Sequence, residues 1–160
     1  MKLEIVNYLT KVYPDLSGTN KLLLEAQANF ETGNYTSNLY KNNNNLFGIT
    51  FIGQKLATGY TTRTSDGYKF AKYNSWQDSV NDRMRIFYAL YPHLVKSDDP
   101  ERIIDSWLYS YLGRNATQST KDAYKKALYK ISGISQKKKI NSGNTLLICL
   151  ILLIAFATTT

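Results

Sequence analysis

Cysteine is almost missing from this chain: one residue, Cys149, in 160. No intramolecular disulfide can form, and no Cys/His metal-ligand spacing is present. Histidine is equally scarce. His93 follows Pro92 where a helix should end, which reads as a structural position, and a His-based catalytic triad is not expected. Acidic residues are outnumbered, with 12 Asp and Glu against 20 Lys and Arg, for a net charge of +8. Nothing in the pattern implies a cofactor or a metal. The opening Met1-Lys2-Leu3-Glu4-Ile5-Val6-Asn7 has no apolar core of a signal peptide, because Glu4 and Asn7 interrupt it.

The positive balance fits three kinds of partner: nucleic acid, an anionic membrane surface, or an anionic polymer such as a bacterial cell wall. No recognisable nucleic-acid motif supports the first. A composition that is 43% hydrophobic and 13% aromatic describes a folded chain, and 160 residues suit one domain with a sizeable core. The 13 tyrosines read either as packing residues of mixed polarity or as a surface that meets sugars or bases.

Apolar spacing predicts a first helix over Lys2–Val12, ended by Tyr13-Pro14-Asp15. Asn20 reads as the N-cap of a second, with Leu23, Ala26 and Phe30 on its inner face and Gly33 as its stop. The four asparagines Asn42–Asn45 argue against a regular element. Short β-prone pieces follow at Leu46–Ile52, Leu56–Thr62 and Gly67–Tyr73, with Asp66-Gly67 as a hairpin turn. Ser75-Trp76-Gln77-Asp78 resembles a capping box, and Trp76, Val80, Met84, Phe87 and Tyr91 repeat at helical spacing up to Pro92. Asp99-Pro100 opens the next helix, with Ile103, Ile104, Trp107 and Tyr111 inward and Gly113 as its end. A last helix is expected from about Lys121 to Ser132, with Ala123, Ala127, Leu128 and Ile131 inward. The expected class is α+β, mainly α, with a small β-hairpin lobe.

Beyond residue 134 the character changes. Residues 135–144 are polar and basic, including Lys137-Lys138-Lys139, and read as a linker. Residues 145–160 are apolar apart from their threonines. As a helix they would extend about 24 Å, against a hydrocarbon core of about 30 Å. The expectation is a transmembrane or membrane-anchoring helix that contacts the lipid bilayer through residues 145–160, with a buried C-terminal core helix as the alternative.

Glu31 is the best candidate acid. It lies at the end of a helix, near the negative pole of the helix dipole, beside Phe30 and before Gly33. Both the dipole and burial disfavour a charged carboxylate, and a carboxyl kept protonated is what glycosidic cleavage requires of a proton donor. An exposed or capping Glu would fit the same local pattern. Glu25, one helical stretch earlier, reads as a solvated or packing-edge residue.

Three pieces carry a resemblance: Ala26-Gln27-Ala28-Asn29-Phe30-Glu31-Thr32-Gly33, Asn44-Asn45-Leu46-Phe47-Gly48-Ile49 and Phe70-Ala71-Lys72-Tyr73-Asn74-Ser75. In this order and spacing, over about residues 20–130, the chain resembles the bacterial and phage glucosaminidases of glycoside hydrolase family 73. That resemblance implies a lysozyme-like fold with a cleft between a helical part and a β lobe. It implies a peptidoglycan glycan strand as partner, cut at the β-1,4 bond after N-acetylglucosamine. By motif, Glu31 matches the general acid and Tyr73 the cleft tyrosine. Asn45, Phe47 and Gly48 match the wall beneath the substrate, Phe70 of the third piece counts with the substrate-binding residues, and Arg63, outside the motif, is a candidate contact for anionic groups of the stem peptide.

One departure stands out. Family members often carry a second glutamate in a Thr-Thr-Glu segment, and here the stretch is Thr61-Thr62-Arg63-Thr64-Ser65-Asp66-Gly67. Arg63 can serve neither as base nor as nucleophile. Asp66 is the nearest carboxylate in sequence, although in a hairpin it suits a turn position. The second group then comes from elsewhere, or from the substrate's own N-acetyl group, or the protein binds glycan without cutting it. A lytic transglycosylase, which works with one acid, is the competing activity, and a non-catalytic wall-binding membrane protein is the competing non-enzyme. The chain is thus expected to hold a glucosaminidase-like domain at 1–134, a linker at 135–144 and an anchor at 145–160, placed at a cell membrane or inside a phage virion.

Overall fold

Ser17, Ser37, Ser75, Asp99 and Thr117 each stand just before a helix and set where it begins. The computed structural model describes residues 2–112 and 116–136. In chain order these form helices α1 (Lys2–Val12), α2 (Gly18–Glu31) and α3 (Asn38–Asn43), strands β1 (Gly59–Thr62) and β2 (Lys69–Lys72), then α4 (Trp76–Leu90), a 3-10 turn (Pro92–Leu94), α5 (Pro100–Tyr111) and α6 (Gln118–Ser132).

α2 is the hub. It packs against α6, α1 and α5. Leu23, Leu24, Ala26 and Ala28 are fully buried together with Asn20, Glu25 and Gln27, so almost its whole circumference lies inside protein. Its cap is Ser17, three residues before the expected Asn20; the Ser17 Oγ accepts the Asn20 N–H at 3.1 Å. Asn20 instead sits buried in the first turn, where its Nδ2 donates to the carbonyls of Leu94 (2.8 Å) and Val95 (3.2 Å). A side chain that can serve carbonyls far along the chain is worth more there than at the cap. Phe30, expected inward, is 42% exposed, because the helix end has passed beyond the core. Glu25, expected near solvent, is fully buried, and its Oε1 accepts the Tyr35 hydroxyl at 2.8 Å.

The asparagine run is more ordered than its composition suggests. Asn42 and Asn43 finish α3, which is capped by Ser37, and Asn44 ends it in the left-handed region at φ 52°. Each following amide holds a different backbone. Asn44 Nδ2 donates to the Tyr73 carbonyl at 3.0 Å. Asn45, fully buried, accepts the Ile49 N–H and donates to the carbonyls of Ile49 and Ala71, all within 3.0 Å. This brace and Gly48 at φ +60° curl the segment Leu46–Ile52 away from the expected strand. What remains is one bridge, Thr50 to Phe70.

The two-stranded sheet is antiparallel, with Gly59 opposite Lys72 and Thr62 opposite Lys69. Asp66-Gly67 lies in its turn, as expected, with Gly67 at φ +72°. α4 starts on the full capping box, Ser75 Oγ accepting from Asp78 N and Asp78 Oδ2 from Ser75 N. α5 starts on Asp99, whose Oδ1 accepts from Glu101 and Arg102. α6 begins at Gln118 on a Thr117 cap, earlier than expected, and its inner residues are Tyr124, Leu128 and Tyr129 while Ala123 faces out. The mainly helical α+β class with a small hairpin stands. Among the described residues no helix is long and apolar enough to cross a membrane. Gly113, Lys137-Lys138-Lys139 and the proposed anchor at 145–160 lie outside the described residues.

Replacing Asn20 with Leu keeps the size but removes the buried amide that ties α2 to the Leu94 and Val95 carbonyls, each of which keeps one backbone N–H. We expect a loss of about 1–3 kcal/mol, read as a lower urea midpoint with an unchanged slope.

Candidate active site

Glu31 is the last residue of α2, half-buried, and its carboxyl is met from three sides. From α6 the Tyr124 hydroxyl donates to Oε1 at 2.9 Å. From α5 the Tyr111 hydroxyl reaches the same carboxyl while donating to the Phe47 carbonyl at 2.6 Å. From α4 the buried Arg83 guanidinium acts through its charge. Tyr124 stacks on Tyr111 with ring centres 6.0 Å apart and takes Phe30 edge-on at 5.0 Å. Two aromatic walls therefore exclude water from most of the carboxyl.

A chain of hydrogen bonds orients the group. Arg83 Nε donates to Gln27 Oε1 at 3.2 Å, and Gln27 Nε2 donates to the Tyr124 oxygen at 3.2 Å. Arginine has no acceptor, so the Gln27 oxygen must face it and the Gln27 amide must face Tyr124. The Tyr124 proton is then left for Glu31. Oε1 is committed as an acceptor, and a proton carried by Glu31 sits on Oε2.

Burial is the largest influence on Glu31 and pushes its pKa up; the Tyr111 and Tyr124 hydroxyls and the Arg83 charge pull the other way without cancelling it. Burial and the Glu31 charge push both tyrosines far above their ordinary range, so they act as neutral donors at any ordinary pH. Gly48 completes the contact. Its φ is +60°, and a Cβ there would lie 3.0 Å from the Tyr111 hydroxyl oxygen. Any side chain would both strain the backbone and press on the residue that meets Glu31.

Two hollows flank the Phe47–Thr50 turn and the hairpin, and the first shares Arg83 and Tyr111 with this centre. One, of ≈ 390 Å³, runs from Phe47 to Thr50 and is closed by Tyr68, Arg83 and Tyr111. The other, of ≈ 560 Å³, lies between α3 and the hairpin and is lined by Asn43, Thr61, Arg63 and Phe70 among others. Both are in the size range of ligand sites.

The other expected site residues divide. Gly48 and Phe47 border the first hollow, although the Phe47 ring is core. Arg63 and Phe70 border the second, with the guanidinium 5.3 Å above the Phe70 ring. Asn45 is buried and braces the turn. Tyr73, expected at the cleft surface, is 1% exposed, and its hydroxyl donates to buried Asp82 at 2.8 Å. The pleat that turns Ala71 and Tyr73 toward α4 puts this ring under the hairpin, with no atom presented to a ligand. Asp66 sits at the exposed hairpin tip, paired with Arg63, which holds its pKa below the usual carboxylate range. Among the described residues no hydrogen bond or ion pair joins a second carboxylate to Glu31, and no three His, Cys, Asp or Glu side chains gather as a metal site.

Sequence reasoning missed Gln27, Arg83 and Tyr124. Gln27 had a signal, a long polar side chain between two alanines of an inward face. Arg83 had another, the cation next to Met84 on the buried side of α4.

Two outcomes follow from the electrostatics. Tyr124→Phe removes a hydrogen bond to the charged carboxylate, so Glu31 should titrate at higher pH, measurable by carbon NMR of its carboxyl. A raised folded-state pKa means stability present at low pH and lost as pH rises through it. Glu31→Gln should therefore melt above the wild type near pH 8, and the gain should vanish below about pH 4.3, the unperturbed value for Glu.

A family model described as mannosyl-glycoprotein endo-beta-N-acetylglucosaminidase matches residues 12–141. Two solved structures share the fold. The catalytic domain of the autolysin Auto from Listeria monocytogenes is 22% identical with a TM-score of 0.52, over 82% of this chain and 80% of that one. A type VI secretion system effector-immunity complex from Pseudomonas protegens contains a chain 17% identical with a TM-score of 0.54, over 82% of this chain and 93% of that one. No curated protein sequence matches. The family match spans most of the chain, the fold agrees with it, and a protonatable glutamate closes the helix that the motif marks: the chain belongs to the glucosaminidase family of glycoside hydrolases.

Proposed function

We propose that this protein hydrolyses peptidoglycan at the β-1,4 bond after N-acetylglucosamine, with Glu31 as the general acid. The observation that carries the reading is the Glu31 carboxyl, half-buried between Tyr111 and Tyr124 with its pKa raised and one oxygen already committed to Tyr124. Glu31 gives its proton to the glycosidic oxygen as the C1–O bond breaks. The leaving sugar departs as a neutral alcohol; a water oxygen then bonds to C1 and the proton it releases returns to the Glu31 carboxylate. The carboxylate left behind is met by the Tyr111 and Tyr124 hydroxyls and the Arg83 charge, the three influences that favour its ionised form. With Arg63 paired to Asp66, the second group is the substrate's N-acetyl oxygen, closing on C1 before water opens the ring.

Arg63, at the position where family members often carry a second glutamate, favours one other reading, a lytic transglycosylase. There the muramyl C6 hydroxyl replaces water and leaves an anhydro end. Residues 145–160, by their apolar sequence, would tether the domain to a bilayer, in a host membrane or a virion. Recovery of the full-length protein solely in the soluble fraction of lysed cells would remove the tether.

The deciding experiment is clearing of a cell-wall suspension by the full-length protein and by Glu31→Gln, followed by mass spectrometry of the products. The variant should lose about 10²–10⁴-fold in rate, and the wild type should release reducing-end N-acetylglucosamine. Equal clearing by both removes Glu31 as the acid. Anhydro-muramyl ends replace hydrolysis with the transglycosylase, and no clearing by either makes the protein a wall binder.

A further inference from the structure

Three consecutive residues just past Glu31 lie in the left-handed region: Gly33 at φ 54°, Asn34 at φ 57° and Tyr35 at φ 63°. Glycine takes that conformation freely and asparagine tolerates it, but a tyrosine there is a backbone outlier. Among the described residues the other non-glycine positions with positive φ are Asn34 and Asn44, so Tyr35 is the one bulky side chain held this way. Strain of this kind persists only where the surroundings over-determine it, and it gathers at functional sites.

What holds Tyr35 runs along α2. Its N–H donates to Thr32 Oγ1 at 2.9 Å, and that hydroxyl donates on to the Ala28 carbonyl at 2.6 Å. Its ring packs edge-on against Tyr40, with centres 6.0 Å apart. Its hydroxyl donates at 2.8 Å to Oε1 of Glu25, which is fully buried. The left-handed turn thus folds the chain back along the helix, and the phenol reaches a carboxyl about two turns before the helix end. Between these fastenings lies the stretch that closes on Glu31. The turn also takes up the carbonyls of that stretch: the Asn34 N–H donates to Asn29 at 2.8 Å and the Gly33 N–H to Phe30 at 3.1 Å. A helix end without such partners frays, and fraying here would let water reach the Glu31 carboxyl. A glycine at position 35 would relax the backbone but could not span the distance to Glu25.

We propose that Tyr35 is a positioning residue for Glu31: its hydroxyl, fastened to Glu25, keeps the last turn of α2 wound and so keeps the Glu31 carboxyl seated between Tyr111 and Tyr124. Tyr35 acts through the helix backbone. Its effect on rate rests on the reading of Glu31 as the acid; its effect on the carboxyl does not.

The test reads Glu31 directly in the full-length protein, by carbon NMR of its carboxyl, with Glu31→Gln identifying the signal. Tyr111, Tyr124 and Arg83, the groups that face this carboxyl from α5, α6 and α4, stay in place. Tyr35→Phe keeps the ring and removes the bond to Glu25. Burial is what raises the Glu31 pKa, so a loosened helix end should lower it. We expect a downward shift of about half a pH unit, which cuts the protonated fraction above that pKa about threefold. The alkaline limb of wall clearing should move to lower pH with it. Glu25→Gln leaves an oxygen for the phenol while removing the charge, and should keep the wild-type titration. If Tyr35→Phe does not fold, Tyr35→Gly, free of the backbone strain, should show the same downward shift. An unchanged or raised Glu31 titration in either folded variant, whatever its Tm, leaves Tyr35 a purely structural residue and overturns the proposal. Failure of both variants to fold does the same. So does a Glu25→Gln shift as large as that of Tyr35→Phe, which would assign the effect to charge. A lowered titration in a protein that clears no wall upholds the clasp and removes only the catalytic reading.

Discussion

The polar chain from Arg83 through Gln27 and Tyr124 to Glu31 is the constraint around which the rest is arranged. It crosses three helices, α4, α2 and α6, inside a core otherwise filled by Leu, Ile and Phe. Each group in such a place costs free energy unless it finds its partner, so the network works only when the helices stand at one separation. Trp107 adds the fourth side by supporting the guanidinium from α5. The reward is directional. With the Gln27 amide turned to Tyr124, the Tyr124 proton is directed at the carboxyl at the end of α2.

The hairpin lobe is held to the helices by amides and a phenol rather than by a shared apolar core. Asn43, Asn44 and Asn45 each bind a different part of the hairpin or of its exit. Tyr73, Asp82 and Arg85 form a second polar chain under the sheet. These bonds fix where the lobe stands without closing the hollows beside it. An apolar seam of the same length would have filled the space that a glycan needs. The Arg63–Asp66 pair at the tip is exposed and contributes little to stability. Its effect is to keep that arginine beside Phe70, at the edge of the groove.

Local chemistry was legible from the residues alone. The Ser75–Asp78 capping box, the Asp99-Pro100 start and the Asp66-Gly67 turn all involve groups within four residues of each other, and all three stand as read. Glu31 was legible too, through a helix stop and a motif. Readings that needed to know what lies across the chain were less secure. Asn20 looked like a cap because its carbonyl partners are more than 70 residues away. Glu25 looked solvated because Tyr35 comes back over it only after the turn at Gly33. Tyr73 looked like a cleft residue because nothing in its neighbourhood announces Asp82 as its partner.

The sequence by itself determined the helical class, the hairpin, most helix ends and the place of Glu31 at the end of α2, because these depend on spacing, caps and backbone preference. The tertiary structure alone decided that Glu31 is sheltered between two tyrosines, that Arg83 reaches it through Gln27 and Tyr124, and that no second carboxylate is bonded to it among the described residues. Those facts depend on which helix faces meet. The faces meet where buried polar atoms find one another, and that pairing is a property of the packed chain that no stretch of residues carries alone.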